Sequence, residues 1–211
     1  MAALFPSLWL PAAGIFPERD PGLGRHSEGM PRWYWLLWWS LVTQRLRELH
    51  LSRSRARDKS GPVADPDGFP VMVATHVGLF LLPPLEARMT HPHGGRRFGW
   101  ALLLLAAGAL RLWSINSLGD QWNVRGLVPD DLRPITIGPY RWIRHPNYLA
   151  VALEFAALPM ATGAWRSALG LSVLNGSVLW RRIRAEEKLL GERPGYSEAF
   201  AKKARFIPHI L

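Results

Sequence analysis

The chain has 211 residues, with 26 Lys and Arg against 16 Asp and Glu for a net charge of +10; it has no Cys, 11 Trp and 48% apolar residues. The lack of Cys excludes a disulfide-stapled scaffold, a thiolate zinc site and a Cys nucleophile. The apolar content excludes a disordered basic tail, the length suits one domain or at most two small ones, and the apolar and charged residues fall in separate blocks.

Residues 1–30 are rich in Pro and Gly, which break helices, and carry no basic stretch ahead of their apolar patches, so they make a poor signal peptide. They read either as a flexible leader or as a segment ahead of a true translation start at Met30. Apolar blocks then follow in order. Residues 33–46 form the weakest, because Arg45 arrives early and would have to snorkel towards headgroups. Residues 69–85 carry no formal charge, and residues 98–118 are broken only by Arg111. Residues 148–164 hold a single charge, Glu154, and 165–180 follow at once with Arg166 at the edge. About 20 apolar residues at a rise of 1.5 Å span a bilayer core. The expected fold is therefore all-α: a polytopic integral membrane protein of about five transmembrane helices. Its expected regions are the leader 1–30, N-terminal membrane helices 31–118, and a catalytic region 119–211 that includes the last helical hairpin.

With the N-terminus outside, the predicted cytoplasmic loops hold 18 Lys and Arg and the outer segments hold 7. This is the positive-inside asymmetry of an inner, cytoplasmic membrane protein. Because the basic residues are dispersed over several loops, they form no nucleic-acid patch. His91 and His93 lie on the expected outer side with no third ligand nearby, so no metal site is assigned. His76 and Asn175 are expected to be satisfied by hydrogen bonds between helices. Charges deep in a span face a cavity or one another, so Glu154 either lines an acceptor tunnel or pairs with Arg111.

Polar and turn-forming residues concentrate in 119–147, which ends in GPYRWIRHPN and runs into Tyr148. Gly138-Pro139 marks a turn, and Pro146 forces extended geometry at His145 and a chain reversal into the next span. A second cluster, RRIRAEEKLL at 181–190, follows the final span. Arg182 and Glu186 are four residues apart and could form a helical pair. A hairpin that leaves and returns brings Glu186 and Glu187 back to the layer of His145, so a cationic loop meets two carboxylates.

GPYRWIRHPNY, an apolar hairpin, RIRAEE and a downstream Tyr196 resemble the isoprenylcysteine carboxyl methyltransferase family, which is itself related to phospholipid N-methyltransferases. The resemblance is strong over about 119–200 and loose over QRLREL (44–49) and HVGLF (76–80); parts of it look like bacterial members associated with phenolic lipids. It implies S-adenosyl-L-methionine in a cytoplasm-facing pocket built from the loop before and the segment after the last hairpin. By that resemblance, Tyr140, Arg144, His145, Pro146 and Tyr148 wrap the cofactor, and Arg182 and Glu187 are needed for activity. The cofactor's ammonium wants a carboxylate, from Glu186 or Glu187, and its carboxylate wants Arg144, His145 or Tyr148. The implied acceptor is a lipophilic small molecule or prenylated group arriving from membrane lipids, with Arg182 touching it or bracing Glu186. A carboxylate acceptor needs no base, whereas a phenol needs one, such as a pocket carboxylate or His145. An N-methylating enzyme and a non-catalytic lipid-binding protein are the alternative readings. The chain departs from the family pattern at Ala150, where Gly is common, and at 191–195, where Phe-Gly is absent.

Overall fold

The structure, a computed structural model, describes residues 30–90 and 97–206; most of the leader and the His91-Pro-His93 segment lie outside them. The described residues are helical, with no strand and only two isolated β-bridges. Helix α1 spans Arg32–Ala56, α2 Phe69–Thr90, α3 Arg97–Leu118, α4 Pro146–Thr162, α5 Trp165–Gly191 and the short α6 Tyr196–Phe200. By length and composition, two helical stretches could cross a membrane: Pro66–Thr90 and Arg97–Gln121.

Helix α1 runs ten residues beyond the predicted block, because the stretch after Leu46 is rich in good helix formers and places Arg53 and Arg55 at the negative end of the helix dipole. Arg45 is accordingly turned inward and does not snorkel; its side chain is only 11% exposed. Helix α5 likewise continues eleven residues past 180 and carries the RIRAEE cluster on one rigid rod.

Pro146 opens α4, where its fixed φ suits the first helical position and its missing N–H costs no hydrogen bond. Helix α4 stops at Gly163, whose φ of 82° is left-handed; the Gly163 N–H bonds the Met160 carbonyl and the Ala164 N–H that of Pro159. Two residues then lead into α5, whose orphan N-terminal donors are met from α2: Glu86 accepts from the Arg166 and Ser167 amides and from the Ser167 hydroxyl. Helix α4 packs against α3 and α5, and α2 packs against both α4 and α5. Their shared core includes Leu79, Leu104, Val151, Phe155, Leu158, Leu171, Leu179 and Ile183. Because α4 and α5 are antiparallel and tightly joined, the end of α5 returns to the start of α4.

The segment between α3 and α4 folds over that end. The Ala64 amide bonds the Gly126 carbonyl and the Val128 amide the Pro62 carbonyl, tying it to the α1–α2 connection. Gly138, with φ of 58°, sits so close to the end of α3 that a Cβ there would meet Ser117 Oγ at 2.1 Å. That position requires glycine.

Candidate functional site

The GPYRWIRHP loop and the end of α5 meet as the hairpin length demands. His145 Nε2 lies 3.2 Å from Glu187 Oε1. Arg205 grips the same carboxylate through Nε at 3.0 Å and Nη2 at 2.7 Å, and Arg144 Nη1 lies 3.6 Å away. The hydrogen bond from His145, supported by Arg205, outweighs partial burial and lowers the Glu187 carboxyl to about 2. The chain after α6 is strapped across the loop. Arg144 and His145 amides donate to the Ala204 and Arg205 carbonyls, Arg144 Nε donates to the Lys203 carbonyl, and Lys203 Nζ donates to that of Tyr140.

Between these parts lies a mixed polar and aromatic cavity of about 790 Å³, counted out to its open mouth. Tyr140, Arg144, His145, Tyr148 and Glu186 line it, with Tyr196 and Phe200 from α6 and Trp122 and Asn123 from the overlying segment. Burial, reinforced by Glu186, pushes the Tyr140 hydroxyl above its ordinary range, and the same holds for Tyr196, so both stay neutral. Pro146 is buried and sets the entry of α4. Glu187 is not on this wall. The two adjacent carboxylates thus have separate placements: Glu186 faces the cavity and Glu187 holds loop and tail together behind it.

A second cavity, of about 1080 Å³ on the same measure, opens between α1, α2, α4 and α5. Its lining is mainly apolar, with Val42, Leu46, Val73, Val77, Phe80, Val151 and Leu179. Trp122, Asn123, Asn147 and Tyr148 line both cavities and so form their common wall. Arg182 lies on the apolar side and is only 3% exposed. Its Nε donates to the Tyr148 hydroxyl at 2.9 Å, one Nη bonds the Val124 carbonyl, and the other, among the described residues, meets only the Met72 sulfur at 3.5 Å. The Tyr148 hydroxyl in turn donates to Glu186. Arg182 therefore reaches Glu186 through Tyr148, not by the direct helical pair that the spacing suggested. Gly126, with φ of 73°, lies against this guanidinium; a Cβ would stand 2.9 Å from it.

Glu154 is fully buried and pairs with Arg45, correcting the expected Arg111 partner. Arg111 instead clamps Glu48, with Nε and Nη2 each at 2.7 Å, and touches Asn147 at 3.2 Å. Arg45 bridges Glu48 and Glu154, completing a quartet of two cations and two anions. Arg45, Glu48 and Arg111 border the apolar cavity, whereas Glu154 is not on its wall and acts by holding Arg45. His76 also borders that cavity and bonds the Met72 carbonyl of its own helix, not a neighbouring one. Asn175 Oδ1 has no partner among the described residues, so its expected interhelical bond is not formed. Sequence reasoning missed Glu48, Asn147 and Arg205. A Glu after two arginines and a lone tail Arg are ordinary juxtamembrane residues until the fold brings them inward.

An all-helical chain with a polar cavity at one end, walled by a GPYRxxRHPxY loop and a paired-carboxylate helix, falls within a known class. Residues 100–192 match the model described as the isoprenylcysteine carboxyl methyltransferase (ICMT) family. The chain is also 31% identical over 163 residues to the uncharacterized protein YpbQ of Bacillus subtilis (strain 168), a match covering 75% of this chain and 97% of that one. This protein belongs to the isoprenylcysteine carboxyl methyltransferase family, a family of membrane-associated methyltransferases.

Proposed function

We propose that the chain is an integral membrane enzyme of five spans that uses S-adenosyl-L-methionine to methylate an oxygen of a lipophilic acceptor. The observation that carries this reading is the pair of cavities divided by one thin wall of Trp122, Asn123, Asn147 and Tyr148. A polar cavity suits a zwitterionic cofactor, and an apolar one between helices suits an acceptor arriving from lipid.

The donor set fits S-adenosylmethionine, which when bound supplies an electrophilic methyl. Glu186 is the carboxylate available to its ammonium, Arg144 and His145 are the cationic and polar groups available to its carboxylate, and Tyr140, Tyr196, Phe200 and Trp122 offer aromatic faces to the purine. Glu187 serves by positioning: it fixes His145 and closes the tail strap over the pocket. Arg182 presents its guanidinium to the acceptor side and orients Tyr148. Glu154 keeps Arg45 in place beside the acceptor cavity. Transfer of this kind depends mainly on alignment and on exclusion of water.

Exposed apolar side chains on α1, α2, α3 and α5 support embedding in lipid; they include Leu36 and Trp39, Leu81 and Leu85, Leu102 and Leu105, Leu169 and Val173. Trp165 and Trp180, both exposed, stand about 22 Å apart along α5 at 1.5 Å per residue, as interfacial aromatics do. The 18-to-7 basic asymmetry supports the site facing the cytoplasm in the inner membrane. The test is calorimetric titration of detergent-purified protein with S-adenosylhomocysteine, joined to mass spectrometry of lipids from cells with and without the protein. Saturable heat and a lipid species gaining one methyl are the expected results. No heat indicates a non-catalytic binding protein, and methyl gain on phospholipid amines indicates N-methylation.

A further inference from the structure

We propose that the C-terminal end of α5 carries a site for the headgroup of an anionic phospholipid, formed by Arg184 and Arg205 around the ring of Trp180. The site lies outside both cavities. It rests on the embedding in lipid proposed above, not on methyl transfer.

The outer face of α5 changes character at Trp180. Before it, Leu169, Val173 and Leu174 are exposed and apolar; after it, Arg181, Arg184 and Lys188 are exposed and cationic. Trp180, Arg184 and Lys188 follow one another at intervals of four and so stand in one row along the helix. Arg184 lies about 6 Å beyond Trp180 along the axis. That is the depth of the headgroup layer when an interfacial indole marks the edge of the hydrocarbon. The Arg184 guanidinium rests 4.6 Å from the centre of the Trp180 ring. The tail brings a second guanidinium, that of Arg205, to 5.8 Å from the same ring. Both are within the reach of cation–π attraction, so one exposed indole gathers two cations that would otherwise repel.

These cations lack counter-charge. Among the described residues Arg184 touches no carboxylate, and its contact is the Trp180 ring. Arg205 spends Nε and Nη2 on Glu187, leaving its other Nη without a partner among the described residues. Glu187 is already shared with His145 and Arg144, and the nearby Arg181 has its own acid, Asp65, at 3.1 Å. A phosphodiester supplies what is missing: a full negative charge and paired oxygens that a guanidinium takes together. A zwitterionic headgroup brings its own ammonium towards the same cations, which favours an anionic lipid. Gly176, one turn inside Trp180, is exposed, and a Cβ there would meet nothing within 4 Å. It leaves a notch in line with the indole where an acyl chain can lie on its way past Val173 and Leu169, a feature that a soluble phosphate does not use. Because Arg205 keeps a free Nη, the phosphate binds it without displacing Glu187. The lipid then ties the tail strap, through Arg205, to Arg184 on α5 and braces it closed.

The test uses the full chain. Native mass spectrometry of the detergent-purified protein, titrated with phosphatidylglycerol or with phosphatidylcholine of the same acyl chains, reads the site. Hydrogen exchange at the Arg144 and His145 amides, in nanodiscs of phosphatidylcholine with and without phosphatidylglycerol, reads the brace. Each cation contributes about fivefold to attraction of an anionic lipid, so the pair should favour phosphatidylglycerol by about 25-fold. Arg184→Gln should weaken phosphatidylglycerol by about fivefold and leave phosphatidylcholine unchanged. Phosphatidylglycerol should slow exchange of both amides about fivefold in the wild type and not in the variant, while the two proteins exchange alike in phosphatidylcholine alone. Equal affinity for the two lipids overturns the site. Arg57→Gln removes an exposed cation at the end of α1 and should keep phosphatidylglycerol affinity within about twofold; a loss matching that of Arg184→Gln means diffuse attraction and also overturns the site. Displacement of the lipid by excess inorganic phosphate overturns the assignment to lipid. Binding with no change in exchange overturns the brace. A protein that stays in solution without detergent and enters neither nanodisc overturns the embedding on which the site rests. The wild-type lipid comparison stands even if the variant does not fold.

Discussion

Glu187→Gln removes one negative charge from the junction of loop, helix and tail while keeping the shape of the side chain. In the native protein that carboxylate faces His145, a two-pronged Arg205 and, further off, Arg144. A hydrogen bond to a charged group contributes about 1.5–3 kcal/mol when buried. The Arg205 and Arg144 side chains are 36% and 32% exposed, so solvent screening reduces each cation's share. A net loss of about 2 kcal/mol for the whole junction follows, equivalent to roughly a 30-fold shift towards an undocked tail. Because Tyr196 and Phe200 line the polar cavity just ahead of the strap, cofactor affinity should fall with it, by up to about 30-fold. The assays are hydrogen exchange at the Arg144 and His145 amides, which donate to the tail, and calorimetry with S-adenosylhomocysteine. The carboxyl is held at about 2, below its ordinary value. A lowered carboxylate stabilises the fold fully above its unfolded value near 4.3 and loses that contribution as pH falls through its folded value. The Glu187 share of that protection should therefore hold down to about pH 4.3 and be lost as pH falls further. Unchanged protection together with unchanged affinity in Glu187→Gln would refute the latch.

Other consequences follow from the same contacts. Glu154→Gln leaves Arg45 short of a counter-charge in a buried quartet and should cost about 3–5 kcal/mol, read as a drop in thermal unfolding temperature in detergent. Arg45→Met combined with Glu154→Met removes one cation and one anion, leaves the Arg111–Glu48 clamp neutral, and should restore most of that loss; an additive loss would contradict the quartet. Glu86→Ala strips the acceptor that caps α5 and should destabilise by ~1 kcal/mol without altering S-adenosylhomocysteine affinity, since the cap lies at the far end of the helix from the site.

Much of the architecture was legible because the signals are local. A turn ahead of Pro146, a hairpin of two apolar blocks and an acidic helix end suffice to return Glu187 to His145, whatever the rest of the bundle does. Helix ends were less legible: apolar content marked only the apolar stretches of α1 and α5, whereas both helices continue through charged residues that favour helix equally well. The division of labour between Glu186 and Glu187 could not be read, because adjacent residues on a helix point about 100° apart and only tertiary packing decides which one faces a cavity. The same applies to Glu154, for which Arg45 and Arg111 lie at similar depth on different helices. Arg45 reads from sequence as a snorkelling charge in a weak span, though a charge inside an apolar block is itself the signal of an inward-facing partner. Arg205 carried no comparable signal, since its role depends on the tail crossing the loop.

The central claim is that the cofactor lies between the His145 loop and the Glu186 end of α5. Photo-cross-linking with an azido-purine analogue of S-adenosylhomocysteine, followed by peptide mapping, tests it most directly. Label confined to peptides from 118–148 and 186–200, and displaced by unmodified S-adenosylhomocysteine, is the predicted result. Displaceable label on α1 or α2 alone, or none at all, would contradict it.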